Sequence, residues 1–208
     1  MTAFAQQERQ ALCDLFLEVG PDAPTRCEGW RTADLAAHLF VRERRPLAAP
    51  GIVLGGPFAK FTEREMAAAR RHHGYAGLVA KVRSGPPLCL RPVDELFNLL
   101  EYFVHTEDVR RAVPGFEPRV APELDEALWG ALRRASRMFT RKLHGAGLEL
   151  ERPGGERIVA SSATPRAVLL GNPQELALFL YGRGEVSSVE LSGPPEAQEA
   201  VRAADFSL

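Results

Sequence analysis

Apolar positions at three- and four-residue steps, Phe4, Leu12, Leu15, Phe16 and Val19, with polar residues between them, predict a first helix over residues 4–19 with one buried face. Gly20-Pro21 stops it. Thr32 is a good N-cap and Asp34 a favourable first-turn acid, so a second helix is expected over 33–45, ended by Pro46. The stretch 48–57 holds three glycines and two prolines and reads as an irregular connection. A third helix is predicted over 61–82, bent near Gly74. Ser84-Gly85-Pro86-Pro87 breaks the pattern, and 93–113 then gives the most strongly apolar helix, closed by Pro114-Gly115. A fifth helix runs from Pro122 to about His144, with Glu123, Asp125 and Glu126 early and Arg133, Arg134, Arg137, Arg141 and Lys142 late, an order that suits the helix dipole.

After Gly145 the period changes. Residues 148–152 alternate apolar and polar, Pro153-Gly154-Gly155 supplies a turn, and 157–160 can return as a hairpin partner. A strand over 165–170, a short helix over 173–181 after an Asn172 cap, a strand over 186–191 and a last helix over 196–203 complete the reading. The fold class expected is mainly α: a helical bundle over 1–145 followed by a small α+β domain over 146–208.

Charge changes little in this picture. Against 27 Asp plus Glu stand 26 Lys plus Arg, a formal net charge of -1, so nothing argues for nucleic acid, which normally selects a basic excess. No apolar run reaches the roughly 18 residues of a membrane span. Residues 1–9 lack the apolar stretch of a secretory signal, and a cytoplasmic protein is expected. Cys13, Cys27 and Cys89 form no C-x-x-C pair and read as buried or half-buried thiols. That leaves five histidines, His38, His72, His73, His105 and His144, to carry metal chemistry.

Glu101 and His105 stand one helical turn apart among Leu99, Leu100, Tyr102, Phe103 and Val104. A carboxylate and an imidazole in so apolar a segment need compensation. His38, among Leu35, Ala36, Ala37, Leu39 and Phe40, is expected to face inward as well. Two facing helices can thus offer a two-histidine, one-carboxylate set, which would leave positions open for water or substrate as in catalytic zinc sites, with other first-row metals compatible. The alternative is a buried Glu–His ion pair with His38 satisfied elsewhere. Among the remaining polar residues, Asp34 reads as a capping residue or an acceptor behind His38, and Asp108 either faces the same cavity as Glu101 and His105 or, the preferred reading, pairs with Arg111. His72 and His73, about 100° apart on a helix, read as solvent-facing, and His144 is assigned no chemistry. Trp30 and Trp129 read as core anchors.

The run Cys27-Glu28-Gly29-Trp30 with Thr32-Ala33-Asp34-Leu35-Ala36-Ala37-His38-Leu39 resembles the opening of the mycothiol-dependent maleylpyruvate isomerase family, part of the DinB-like superfamily. Glu101 to Ala112 looks like that family's metal-ligand helix. Gly171-Asn172-Pro173-Gln174-Glu175-Leu176 with Leu180-Tyr181-Gly182-Arg183 is similar to a third, looser family element. The resemblance implies a DinB-like four-helix bundle holding a divalent metal, zinc before nickel or manganese, through His38, Glu101 and His105. It also implies mycothiol as a small-molecule thiol co-substrate acting on an electrophilic substrate. Arg42, one turn after His38, and Arg183 are the candidate cations for an acidic substrate; Arg64, Arg70 and Arg71 find no matching position. The function expected is a thiol-dependent isomerase or transferase, monomeric or homodimeric. The competing reading is a non-catalytic metal or thiol sensor, whose site a fourth protein ligand, Asp108 or a cysteine, would close.

Overall fold

The computed structural model describes residues 4–44, 57–86 and 94–206. Its elements fall into two compact units, 1–118 and 119–208. The first unit carries four helices: α1 (Phe4–Val19), α2 (Thr32–Arg44), α3 (Pro57–Arg83) and α4 (Asp94–Arg110). Helix α1 packs on α3 and α4, and α2 packs on α3. The bundle read from the sequence is therefore present. Its bend is present too, because Gly74 leaves helical geometry at φ 61° and ψ 174°, a region nearly closed to any residue with a Cβ. The connection at 48–57 and Cys89 lie outside the described residues, apart from Pro57 at the start of α3.

Helices α2 and α4 are buried on almost every side. Leu35, Ala36, Ala37, Leu39 and Val41 are fully covered on α2, as are Tyr102, Phe103 and Val104 on α4. Polar residues on these two helices are therefore carried inside whether or not they pack well. His38, Glu43, Asn98, Glu101, His105, Glu107 and Asp108 are all buried and must find partners there.

The second unit holds α5 (Pro122–Phe139), a 3-10 turn (Thr140–Lys142), β1 (Gly147–Glu151), β2 (Arg157–Ser161), β3 (Arg166–Leu170), α6 (Pro173–Leu180), a 3-10 turn (Gly184–Val186), β4 (Glu190–Ser192) and α7 (Pro195–Ala203). The sheet order is β2-β1-β3-β4, with β1 and β3 parallel and the outer pairs antiparallel. Leu148 and Leu150 turn inward, while Glu149 and Glu151 pair with Arg157, as the alternation required. Gly147 starts β1 because a Cβ there would lie 2.0 Å from the Ala163 carbonyl oxygen. Two expectations shift. The strand expected over 186–191 contracts to Glu190–Ser192, its first part being the turn Gly184–Val186. The helix expected to reach His144 ends at Phe139 with one tighter turn after it, leaving His144 exposed.

Helix α5 contacts α6 and β2 within this unit. Leu124, Leu128, Trp129, Leu132 and Phe139 form its buried stripe, and Arg152 lies over the Trp129 ring. None of the helices in the described residues is long and apolar enough to cross a membrane.

Candidate metal centre

One turn of α2 and two turns of α4 bring His38, Arg42, Glu101, His105 and Asp108 together. Glu101 Oε1 is the hub: His105 Nε2 lies 3.3 Å away, His38 Nε2 3.4 Å and Arg42 Nε 3.1 Å. The two imidazole rings are edge to face with centroids 5.4 Å apart. Arg42 also donates to Asn98 Oδ1, which fixes the guanidinium against α4.

These separations suit a metal better than they suit hydrogen bonds. A nitrogen–oxygen hydrogen bond settles near 2.9–3.0 Å. Tetrahedral zinc, with ligand bonds of about 2.0–2.2 Å, holds neighbouring nitrogen and oxygen ligands about 3.3–3.4 Å apart. Each Nε2 thus stands from Glu101 Oε1 at the spacing of two ligands on one ion, and all three atoms lie within 4.8 Å of one another. The donor set, two imidazoles and a carboxylate, is one that zinc and other first-row divalent metals accept.

Burial and charge act unequally on the same atoms. Burial pushes the His38 imidazole below its usual range, so the ring is neutral with a lone pair to offer. Burial would raise the Glu101 carboxyl, but the Arg42 charge and the hydrogen bonds with His105 and His38 outweigh it and hold the group well below the usual carboxylate range. Burial also opposes a charged His105; hydrogen bonds with Asp108, Cys27 and Glu101 prevail and raise it well above the ordinary histidine value.

The far side of His105 is where the sequence reading needs amending. Asp108 turns its Oδ2 to the site, 2.9 Å from His105 Nδ1, as one of the two sequence readings had it, and Arg111 Nε donates to Glu107 at 2.7 Å. Cys27, half-buried as the sequence reading allowed, donates to the same Asp108 oxygen at 3.2 Å and lies 3.9 Å from His105 Nδ1. Spacing offered a partial signal, since His105 and Asp108 are three apart on one helix. Nothing local announced Cys27, which arrives on a loop whose Arg26 amide donates to the Asp108 carbonyl at 2.9 Å. The same loop sets Trp30 against His38, ring centroids 5.1 Å apart, so the tryptophan packs on the site as well as on the core.

The other candidates have the following surroundings. Asp34 accepts from the Arg31 amide at 2.9 Å, a capping contact, and pairs with Arg70 of α3. His72 is exposed and His73 packs half-buried on Phe40. Arg183 belongs to the second unit, where it donates to the Tyr181 carbonyl at 2.5 Å. A cavity of about 380 Å³ in that unit, lined by residues including Asp125, Glu126, Arg152 and Glu156, shares no residue with the metal-ligand set.

No family model matches the chain, and no curated protein does. Solved structures do. A histidine-to-alanine variant of the mycothiol-dependent maleylpyruvate isomerase aligns over 93% of both chains with a TM-score of 0.58 at 18% identity. A second structure of the mycothiol-dependent maleylpyruvate isomerase aligns over 93% of both chains with a TM-score of 0.55 at 17% identity. The family resemblance carried by the Cys27–Trp30, Asp34–His38 and Glu101–His105 motifs thus meets its structural counterpart: along nearly its whole length, the chain has the fold of mycothiol-dependent maleylpyruvate isomerase.

Proposed function

We propose that this protein holds one divalent metal ion, zinc first among the candidates, on His38, Glu101 and His105, and uses it for thiol-dependent isomerisation or group transfer on a small electrophilic molecule. The observation that carries the reading is the convergence of His38 Nε2 and His105 Nε2 on Glu101 Oε1 at 3.4 and 3.3 Å. When bound, such a metal supplies positive charge that keeps a small thiol ionised at neutral pH. Mycothiol, named for the structural neighbours, is the thiol that fits that role.

The chain's own groups do the rest. His38 stays neutral through burial and Glu101 stays ionised beside Arg42, so both present lone pairs without a proton to remove. Trp30 covers the His38 ring and keeps bulk water from that flank. Arg42, a quarter exposed, is a fixed cation beside the ligands and suits an anionic group on the substrate. Arg183 is retained as the second cation of the proposal. The sensor reading requires a protein side chain to close the site; among the described residues the two suited to it, Cys27 and Asp108, gather on the Nδ1 side of His105. On this reading the three ligands leave a position for the thiol, as catalytic zinc sites do.

The test is elemental analysis followed by turnover. Purified protein is expected to carry or take up about one zinc, nickel or manganese ion per chain. With low-molecular-weight thiols and unsaturated acids as electrophiles, turnover is expected in the wild type and not in His105→Ala. Failure to take up any of the three metals, or activity unchanged in the variant, would refute the proposal.

A further inference from the structure

His105 is the one residue of the ligand set with both ring nitrogens engaged. Nε2 faces Glu101 and His38, while Nδ1 lies 2.9 Å from Asp108 Oδ2. The two nitrogens of a neutral imidazole are not equivalent: one carries the proton and the other a lone pair. Which is which decides whether His105 can serve as a ligand at all. We propose that Asp108 and Cys27 are positioning residues that lock His105 with its proton on Nδ1, leaving the Nε2 lone pair for the metal. The inference rests on the metal-centre reading and adds residues that reading does not need.

Three observations support it. The Asp108 side chain is wholly buried and Asp108 lies one turn after His105 on the same helix, so its carboxylate is held at a set distance from the ring. Its Oδ2 takes a second hydrogen bond, from Cys27 Sγ at 3.2 Å, which restrains the rotation that would carry the oxygen off Nδ1. The loop bearing Cys27 is itself anchored at this point, since the Arg26 amide donates to the Asp108 backbone carbonyl at 2.9 Å. Cys27 thus acts on the metal ligand through Asp108 as well as from its own place 3.9 Å from His105 Nδ1, and the loop that brings Cys27 to His105 also brings Trp30 to His38.

The experiment measures zinc affinity by competition with a chromophoric chelator in the full chain and in Asp108→Asn, Asp108→Ala, Cys27→Ser and Cys27→Ala, with thermal unfolding of each metal-free protein as the folding control. Loss of the carboxylate in Asp108→Ala is expected to weaken zinc roughly 10- to 100-fold. Asp108→Asn, which can still accept from Nδ1–H, is expected to fall between that variant and the wild type. Cys27→Ser keeps a donor and should bind within about twofold of wild type, while Cys27→Ala should lose a few-fold, the size of one neutral hydrogen bond. In zinc-loaded protein labelled with nitrogen-15 histidine, a slowly exchanging Nδ1–H resonance of His105 is expected in the wild type and absent in Asp108→Ala. Wild-type affinity in folded Asp108→Asn and Asp108→Ala, or an Nδ1–H signal that survives the alanine change, would overturn the assignment while leaving the metal centre standing. A wild-type chain that takes no zinc would overturn both.

Discussion

Glu101 is the residue on which the site balances. Two buried imidazoles and a quarter-exposed guanidinium approach one of its oxygens, so its charge compensates the polar groups gathered there. Glu101→Gln keeps the shape and removes the charge. It is expected to lower zinc affinity more than tenfold, measured by chelator competition, because a neutral amide is a poor ligand and leaves Arg42 facing two histidines. Arg42→Met separates binding from turnover: the ligand set is intact, so zinc loading should persist, while the KM for an anionic substrate should rise at least tenfold. Zinc lost along with turnover would mean that Arg42 serves Glu101 alone. His38, Glu101 and His105 were legible in the sequence because a polar residue inside an apolar helical run has few places to go. Cys27 was not, because its partner lies on a different element and no spacing rule connects a loop to a helix 81 residues away.

At the scale of elements the least expected feature is Arg9. Residues 1–9 lack an apolar stretch, yet Arg9 is fully buried and reaches every other helix of the bundle. It donates to Glu43 of α2 at 2.6 Å, to the Val82 carbonyl of α3 at 3.3 Å and to the Tyr102 hydroxyl of α4 at 2.5 Å, with its guanidinium over the Tyr102 ring. Helical periodicity shows which face an arginine shares, and Arg9 sits one turn from Cys13 and two from Phe16 on the buried face, but the pattern cannot show that a carboxylate waits there. Arg9→Met is expected to cost about 3–5 kcal/mol by chemical denaturation, since it strands the Glu43 charge. Adding Glu43→Leu should recover most of that loss; a double variant as unstable as the single one would show that the pair contributes by geometry rather than by charge. The bend of α3 makes a second element-scale claim. Gly74→Ala forces a Cβ into a region open essentially to glycine and should cost about 1–3 kcal/mol, although nothing lies within 4 Å of the new atom.

For the whole molecule, the sequence drew its division at 145/146, where helix grammar gives way to strand grammar; by contacts, α5 groups with the sheet that follows it, in the unit 119–208. The pattern of α5 shows an apolar stripe and not the surface that covers it, which is why a change of secondary structure is a poor guide to a change of unit. The first unit, by contrast, carries a signature in its pH response. Burial raises the Cys13 thiol from 9.0 to about 11 and, with the neighbouring Glu43 charge, pushes the Tyr102 hydroxyl well above 10. In the unfolded chain both groups ionise near their ordinary values. As pH rises past about 9, the unfolded state therefore binds fewer protons than the folded one, and stability must fall by up to about 1.4 kcal/mol per pH unit for each group. The loss should begin near pH 9 and, for the thiol, be complete near pH 11, while Tyr102 extends it upward. Denaturant unfolding at a series of pH values tests this, with Cys13→Ala as the control that removes the thiol contribution between pH 9 and 11 and keeps that of Tyr102. A stability that is flat from pH 9 to 11 in the wild type would mean that the thiol ionises as easily in the folded bundle as in water, which the full burial of Cys13 between α1 and the Val79 carbonyl of α3, 3.7 Å from its sulfur, does not allow.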